Sequence, residues 1–424
     1  MGKLVILMIT AFIDMAGVLM VLPLLPFYAK SMGAGGFIVG ALVSSFAVAQ
    51  LLSAPMWGRF SDKYGRRPAL LVGLGASAFA YVIFAYADSL WLLFLSRIVQ
   101  GAGGGTVGVI QAYVTDAVEP KDRARALGWL SAATNAGVAI GPVIGSASTN
   151  ISERAPGLLA AGLCVINVMF AAKYLTESRD MTEAGRHTQR KGRSREAVWH
   201  VITQSRDPAS RLIWIYAIGM GAFMGMNAVL ALFLAARFGV TEKTIGFFYL
   251  YIGLISIVTR AGILGRMVDR YGEPRLARFG MALLATGLVA MPFIHRFIDA
   301  AALGRTLNGE IPVTLAVVLS FLPIAAAVAL IPLGTAFTFP CVTALLSRVI
   351  PSHERGLYMG LQQTFGGSAR VVFPLLAGFM FDRMIELPFL VSAALVIGTI
   401  FLGLGMDEYT KTTKPAPEVE VSPA

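Results

Sequence analysis

The chain has 424 residues, of which 56% are hydrophobic and only 14% charged, with a formal net charge of +11. So little charge excludes a single water-soluble core of this size, which leaves lipid as the solvent. The positive excess does not indicate nucleic acid, because the basic residues fall in short stretches between apolar blocks and not on one interleaved face.

Apolar blocks of about 20 residues, enough for a helix to cross roughly 30 Å of hydrocarbon, recur along the chain. They predict twelve membrane spans, at 4–27, 37–57, 69–87, 91–115, 127–149, 156–175, 211–236, 244–264, 276–294, 312–340, 357–381 and 387–406. The first block contains Asp14 and ends in Pro23 and Pro26 without a small-residue cleavage site, so it is read as a retained helix and not a signal peptide. Asp14 lies ten residues beyond Leu4, about 15 Å along the helix and near the bilayer centre. An ionised carboxylate there costs roughly 2.5 to 3.5 kcal/mol, which favours a position on a cavity or beside a partner.

A polar run, GRFSDKYGRRPALL at 58–71, follows the second span and returns as GRMVDRYGEPRLAR at 265–278. Gly58, Arg59, Asp62, Tyr64 and Gly65 are answered by Gly265, Arg266, Asp269, Tyr271 and Gly272. A second echo pairs Pro120-Lys-Asp-Arg123, before span five, with Pro351-Ser-His-Glu-Arg355, before span eleven. Six spans on each side of 176–210 make the repeat a parallel one, related by an axis along the membrane normal. The expected fold is therefore an all-α polytopic membrane protein of two pseudo-symmetric six-helix bundles, 1–175 and 211–406. The basic linker 176–210 joins them, with a short amphipathic helix expected at 196–204. The tail 407–424 has nothing to bury and is expected to be disordered.

Lys and Arg set the orientation. Arg59, Lys63, Arg66, Arg67, Arg123, Arg125, Arg266, Arg270, Arg275 and Arg278 share one set of loops, and the opposite set is sparse. The rich side is expected to be cytoplasmic, with both termini there. Cys164 and Cys341 fall inside apolar blocks and suggest neither a disulfide framework nor a metal site. His187, His200, His295 and His353 lie outside the blocks or at their margins, so no histidine proton relay is expected. GAGGGTVG at 101–108 has no preceding strand to make it a dinucleotide fingerprint, and is read as helix packing.

With twelve spans, a doubled half and G-x-x-x-D-x-x-G-R-R after the second span, the chain resembles the major facilitator superfamily. Asp14-x-x-Gly17 with Pro23-x-x-Pro26, Arg97-x-x-Gln100-Gly101, and Gly137-x-x-x-Gly141-Pro142-x-x-Gly145 resemble its twelve-helix drug:proton antiporter branch, and within it the tetracycline efflux pumps. Those pumps also carry acidic groups inside helices three and nine, whereas 69–87 and 276–294 here contain neither Asp nor Glu.

The resemblance implies roles for particular residues. The depth of Asp14 by itself reads as a group that takes up and releases the coupling proton, the alternative being a static hydrogen bond to a neighbouring helix; the resemblance implies that Arg97 would make that step sensitive to the ligand present. Asp62 would meet the positive N-terminus of helix eleven near Gly356 and Leu357, and Arg66 would pair with Asp116. With Gly58, Gly65 and Arg67 these form a latch that holds the halves together on the basic face. The bland alternative is a set of solvated loop charges that fix orientation only. Gly137, Gly141 and Gly145, four residues apart, leave one helix face open to close approach, and Pro142 adds a bend. Gln100, Asn135, Asn227, Gln362 and Arg370 are candidates for a substrate cavity. Arg370 lies some 20 Å along its helix, too deep to snorkel, whereas Arg260 is near enough to Arg266 to do so.

Three membrane arginines, Arg97, Arg260 and Arg370, against one deep carboxylate favour substrates with a negative group, and the resemblance implies proton-coupled export of small amphiphilic compounds or drugs by alternating access. The expected setting is a monomer in a bacterial inner membrane, with a small-molecule substrate, lipid contacts, no nucleic acid, no cofactor beyond the coupling ion H+, and no metal. The rivals are a facilitator or symporter for a sugar, organic acid or lipid, and a receptor that binds without transport. Neither HExxH nor paired catalytic carboxylates occur in the spans, so an enzyme is not expected.

Overall fold

The computed structural model describes residues 2–119, 122–177, 191–205, 207–296, 304–306, 309, 312, 315–351 and 354–407. All regular structure among them is helical: in lipid a backbone must satisfy its own polar groups, and a helix does so within one segment. Among the described residues eleven helices are long and apolar enough to cross a membrane, and a further one, Leu387–Leu402, is apolar but shorter. Large apolar side chains such as Leu52 and Phe79, 70% and 61% exposed, point outward into what is hydrocarbon for such a protein.

The first span is broken at Leu22-Pro23-Leu24 into α1 (Lys3–Val21) and α2 (Leu25–Ser31), since proline cannot donate to the helical ladder. The second span is α3 (Gly36–Tyr64) and the third α4 (Arg66–Ala85). The fourth is α5 (Leu90–Gly103) and α6 (Thr106–Ala117), the fifth α7 (Arg123–Ser148) and the sixth α8 (Ala155–Tyr174). A connecting helix, α9 (Lys191–Thr203), precedes the seventh span, α10 (Pro208–Phe238). The eighth span is α11 (Ile245–Val258), a π turn at Thr259–Ile263, and α12 (Leu264–Tyr271). Then come α13 (Glu273–Phe293), α14 (Leu315–Val349), α15 (Arg355–Arg383) and α16 (Leu387–Leu402).

Three expectations change. The charged run at 58–64 is no loop: α3 continues through it to Tyr64, and the connection to α4 is the single residue Gly65. Its echo behaves alike, α12 ending at Tyr271 and α13 starting at Glu273. Both turns need a positive φ, +102° at Gly65 and +76° at Gly272, which glycine adopts without a Cβ clash. These apolar-poor turns of helix project the basic residues beyond the apolar slab instead of folding back at its edge. The glycine run at 101–108 does more than pack, because Gly104 and Gly105 lie outside both α5 and α6. The helix expected at 196–204 begins earlier, at Lys191, and docks through Val201, whose carbonyl accepts from Trp214 Nε1 at 3.1 Å. Residues 178–190 of the linker, the echo residues Pro120, Lys121, Ser352 and His353, and the tail from 408 lie outside the described residues.

Within each bundle close approach comes from small residues. Gly137, Gly141 and Gly145 of α7 lie against the backbone carbonyls of Phe12, Ala16 and Met20, and a Cβ at any of them would overlap those oxygens. Both ladders advance by four residues in the same direction, as two parallel helices must. α7 runs unbroken through Pro142.

Among the described residues the bundles meet chiefly along two helix pairs, α3 with α15 and α7 with α11, and α10 adds smaller contacts with α2 and α3. Gly36 and Gly40 pack on Gly378 and Pro374, Gly246 on Pro142 and Ser146, and Gly253 on Ala139. Hydrogen bonds reinforce both seams: Ser44 Oγ donates to the Val371 carbonyl at 2.7 Å, and the Gly246 N–H donates to Ser146 Oγ at 2.9 Å. These residues all lie toward the end of the molecule away from Gly65 and Gly272. The bundles are sealed there, and toward the end bearing those turns, the basic end, they enclose open space.

Candidate functional site

That space has two lobes. The larger, about 630 Å³, is walled by Gln50, Trp57, Asp62 and Arg66 of the first half and by Gln363 and Arg370 of the second. The smaller, about 580 Å³, is walled by Asp14, Gln111, Thr134 and Asn135 of the first half and Arg260 of the second. Val107, Gly108 and Ala112 of α6 line both, so one helix separates the lobes.

Asp14 is 2% exposed, and its Oδ2 accepts a hydrogen bond from Thr106 Oγ1 at 2.9 Å. Thr106 is the first residue of α6, so the carboxyl group also sits by the positive end of that helix. The break at Gly104-Gly105 creates this arrangement, because an unbroken fourth span would present no helix N-terminus in mid-membrane.

Arg97 is 1% exposed and lies inside the first bundle, not on the wall of either lobe. Its guanidinium carbon is 5.8 Å from the Phe84 ring centroid, and its Nε and Nη2 have no hydrogen-bond partner among the described residues. Tyr81 lies within electrostatic reach of both Arg97 and Asp14, and its hydroxyl accepts from Gln100 Nε2 at 2.7 Å. Gln100 is thus committed inside the bundle. Gln362 is fully buried, with Oε1 accepting from Thr343 Oγ1 at 3.3 Å and Nε2 without a hydrogen-bond partner among the described residues. Asn227 meets Tyr249 through its backbone carbonyl, at 3.4 Å. Of the five candidates for a substrate cavity, Asn135 and Arg370 line the two lobes. Arg260 lines the smaller lobe from within the π turn, a local widening that often marks a functional position.

At the basic end Arg66 bonds Asp116 and Asp62, both at 2.9 Å, and Ser61 Oγ at 2.9 Å. Arg67 reaches the Ala172 carbonyl. Gly58 and Asp62 are on the wall of the larger lobe. Two further carboxylates, one at each end of the molecule, escaped sequence reasoning. Glu177 accepts from the backbone N–H groups of Arg66 and Arg67 at 2.9 and 3.1 Å, capping α4 from beyond the sixth span. At the sealed end Asp382 does the same for α3, accepting from Gly36 and Phe37 at 2.6 and 2.8 Å. Both are distant in sequence from the termini they cap, and no local pattern announces them. Gln50, Ser53 and Trp57 were also missed, although their spacing on one face of an apolar helix is a signal that could have found them.

The sequence model of the Major Facilitator Superfamily matches residues 7–304 and 309–423. The chain belongs to the Major Facilitator Superfamily. It is thus an integral membrane transporter that binds a small-molecule substrate, and not an enzyme. This superfamily member is 26% identical over 417 residues to "Multidrug resistance protein 2" of Bacillus subtilis (strain 168), covering 97% of this chain and 95% of that one. It is 31% identical over 310 residues to "Tetracycline resistance protein, class C" of Escherichia coli, covering 70% of this chain and 74% of that one. Among solved structures, the nucleoside transporter NupG superposes with a TM-score of 0.73 at 14% identity, covering 95% of this chain and 99% of that one. The drug-efflux relatives are distant, and the structural likeness shows the major facilitator fold.

Proposed function

We propose that this transporter exports small amphiphilic, negatively charged compounds in exchange for protons, by alternating access. The reading is supported by a buried carboxyl group, Asp14, with Arg260 on the smaller lobe, and by a second cation of the other half, Arg370, on the larger. Asp14 carries the proton, and the arginines receive the anionic group of the substrate. The apolar wall, with Trp57 and Leu51, accepts the rest of the molecule.

The basic end faces the cytoplasm in this reading, because Lys and Arg concentrate there, and both termini lie on that side. The bacterial relatives support an inner-membrane location and a monomer is the working unit. Asp62, Arg66 and Asp116 belong to a latch that closes the basic end when the opposite end opens. One proton crossing 100 mV supplies about 2.3 kcal/mol, equivalent to roughly a fiftyfold concentration ratio.

The test uses purified protein in vesicles loaded with either fluorescein, an anionic dye, or ethidium, a cationic one. Dye movement is followed with an imposed pH gradient and again after a protonophore. Gradient-dependent movement of fluorescein is expected. Movement indifferent to the gradient would make the protein a facilitator, and binding of dye without movement would make it a receptor.

A further inference from the structure

The fourth span is interrupted beside the carboxyl group on which the proposed exchange depends. Because Gly104 and Gly105 are not helical, the carbonyls at the end of α5 and in the break lose the partners that a continuous helix would supply, that of Gly101 taking the Gly104 N–H at 3.0 Å in their place. In hydrocarbon such groups must be satisfied from elsewhere. Three side chains of α3, at positions 50, 53 and 57, reach them. Gln50 Nε2 donates to the Gly104 carbonyl at 3.1 Å, Ser53 Oγ to that of Gly101 at 3.3 Å, and Trp57 Nε1 to that of Ala102 at 2.5 Å. Ser53 Oγ is also 3.3 Å from the Gln50 carbonyl, so its one proton is shared between two acceptors. The Trp57 side chain lies flush on Gly105, where a Cβ would overlap it.

The residue after Gly105 is Thr106, which holds Asp14 Oδ2 at 2.9 Å. The second span therefore fixes where α6 begins, and with it the hydroxyl and the helix terminus that face the carboxylate. Two of the three side chains, Gln50 and Trp57, also line the larger lobe, which Asp14 does not.

We infer that Gln50, Ser53 and Trp57 are positioning residues for the Asp14 carboxyl group, acting through the break in the fourth span, and that they link the wall of the larger lobe to it. A ligand that draws on the Gln50 amide or displaces the Trp57 ring competes directly for a carbonyl of the break, and Thr106 moves with it. Substrate and proton then communicate without touching. The inference rests on the reading of Asp14 as the proton carrier.

Infrared spectroscopy of the full chain in lipid vesicles tests it with no substrate present. The C=O stretch of protonated Asp14 is identified by its loss in Asp14→Asn. Trp57→Phe, which keeps a ring but no donor, and Ser53→Ala are expected to shift that band, because the Thr106 hydroxyl is no longer held against it. Ser53→Thr, which keeps the hydroxyl, and Gln363→Leu, on the same lobe but on α15 of the other bundle, are expected to leave it in place. If Trp57→Phe fails to fold, the Ser53 pair decides alone. A band unmoved by Ser53→Ala, or moved equally by Gln363→Leu, overturns the inference. A moved band in a protein that pumps neither dye refutes the proton-driven export reading and spares the positioning one; pumping with an unmoved band does the reverse.

Discussion

Asp382 and Gly36 are 346 residues apart in sequence, yet the Gly36 N–H donates to Asp382 Oδ1 at 2.6 Å, across the boundary between the two bundles. The other oxygen accepts from Phe37 at 2.8 Å, so one carboxylate from the end of α15 caps the start of α3. An N-cap of this kind is worth about 1 kcal/mol, with a further contribution from the helix dipole. Asp382→Ala is therefore expected to shift the equilibrium about fivefold toward the state open at the sealed end. Accessibility labelling of single cysteines near Gly40 reads this directly, and unchanged labelling would show that the cap does not bear on closure.

Asp62 stands at the other end of α3, as Asp382 does of α15, so the two antiparallel helices carry a carboxylate at opposite ends of their seam. If Asp62 caps α15 when the basic end closes, Asp62→Asn has the opposite sign to Asp382→Ala. It is expected to favour the state open at the basic end by a similar factor. A shift of the same sign in both variants would remove the latch.

Glycines within and between bundles separate stability from conformation. At Gly141 a Cβ would overlap the Ala16 carbonyl inside the first bundle, and Gly141→Val is expected to cost about 1 to 3 kcal/mol and lower the melting temperature. At Gly40 a Cβ would overlap the Pro374 carbonyl of the other bundle, which can move away as a body. Gly40→Val is therefore expected to keep its melting temperature and populate the state open at the sealed end. Equal loss of melting temperature in both would mean the seam is as rigid as a bundle core.

Asp14→Asn keeps the shape of the site and a hydrogen bond from Thr106 but cannot exchange a proton. Gradient-driven dye movement is expected to vanish while dye exchange down its own gradient continues. Undiminished proton counterflow in this variant would eliminate Asp14 as the carrier.

Arg370 Nε has no hydrogen-bond partner among the described residues, and the side chain lines the larger lobe, so it has capacity for an anionic ligand. Arg370→Gln is expected to weaken fluorescein transport about tenfold, the effect of losing one charge-assisted hydrogen bond, and to spare ethidium. Matched losses for both dyes would mean that charge is not what this residue selects.

The composition, the periodic apolar blocks and the two copies of the polar run are local properties of the chain, and they determined the helical class, the doubling and the family. Glycine spacing likewise announced the face of α7, because a fourfold repeat on a helix needs no knowledge of its neighbour. What surrounds Asp14 was decided only by tertiary structure. The break at Gly104-Gly105, the side chains of α3 that satisfy it, and the burial of Arg97 away from the lobes each depend on where a second helix lies. So do the caps made by Glu177 and Asp382, since a backbone N–H accepts any suitably placed carboxylate and its own sequence does not say whose. Which end is sealed is a further step removed. The same residues can close either seam, so that choice belongs to the packing of two bodies and not to any stretch of chain.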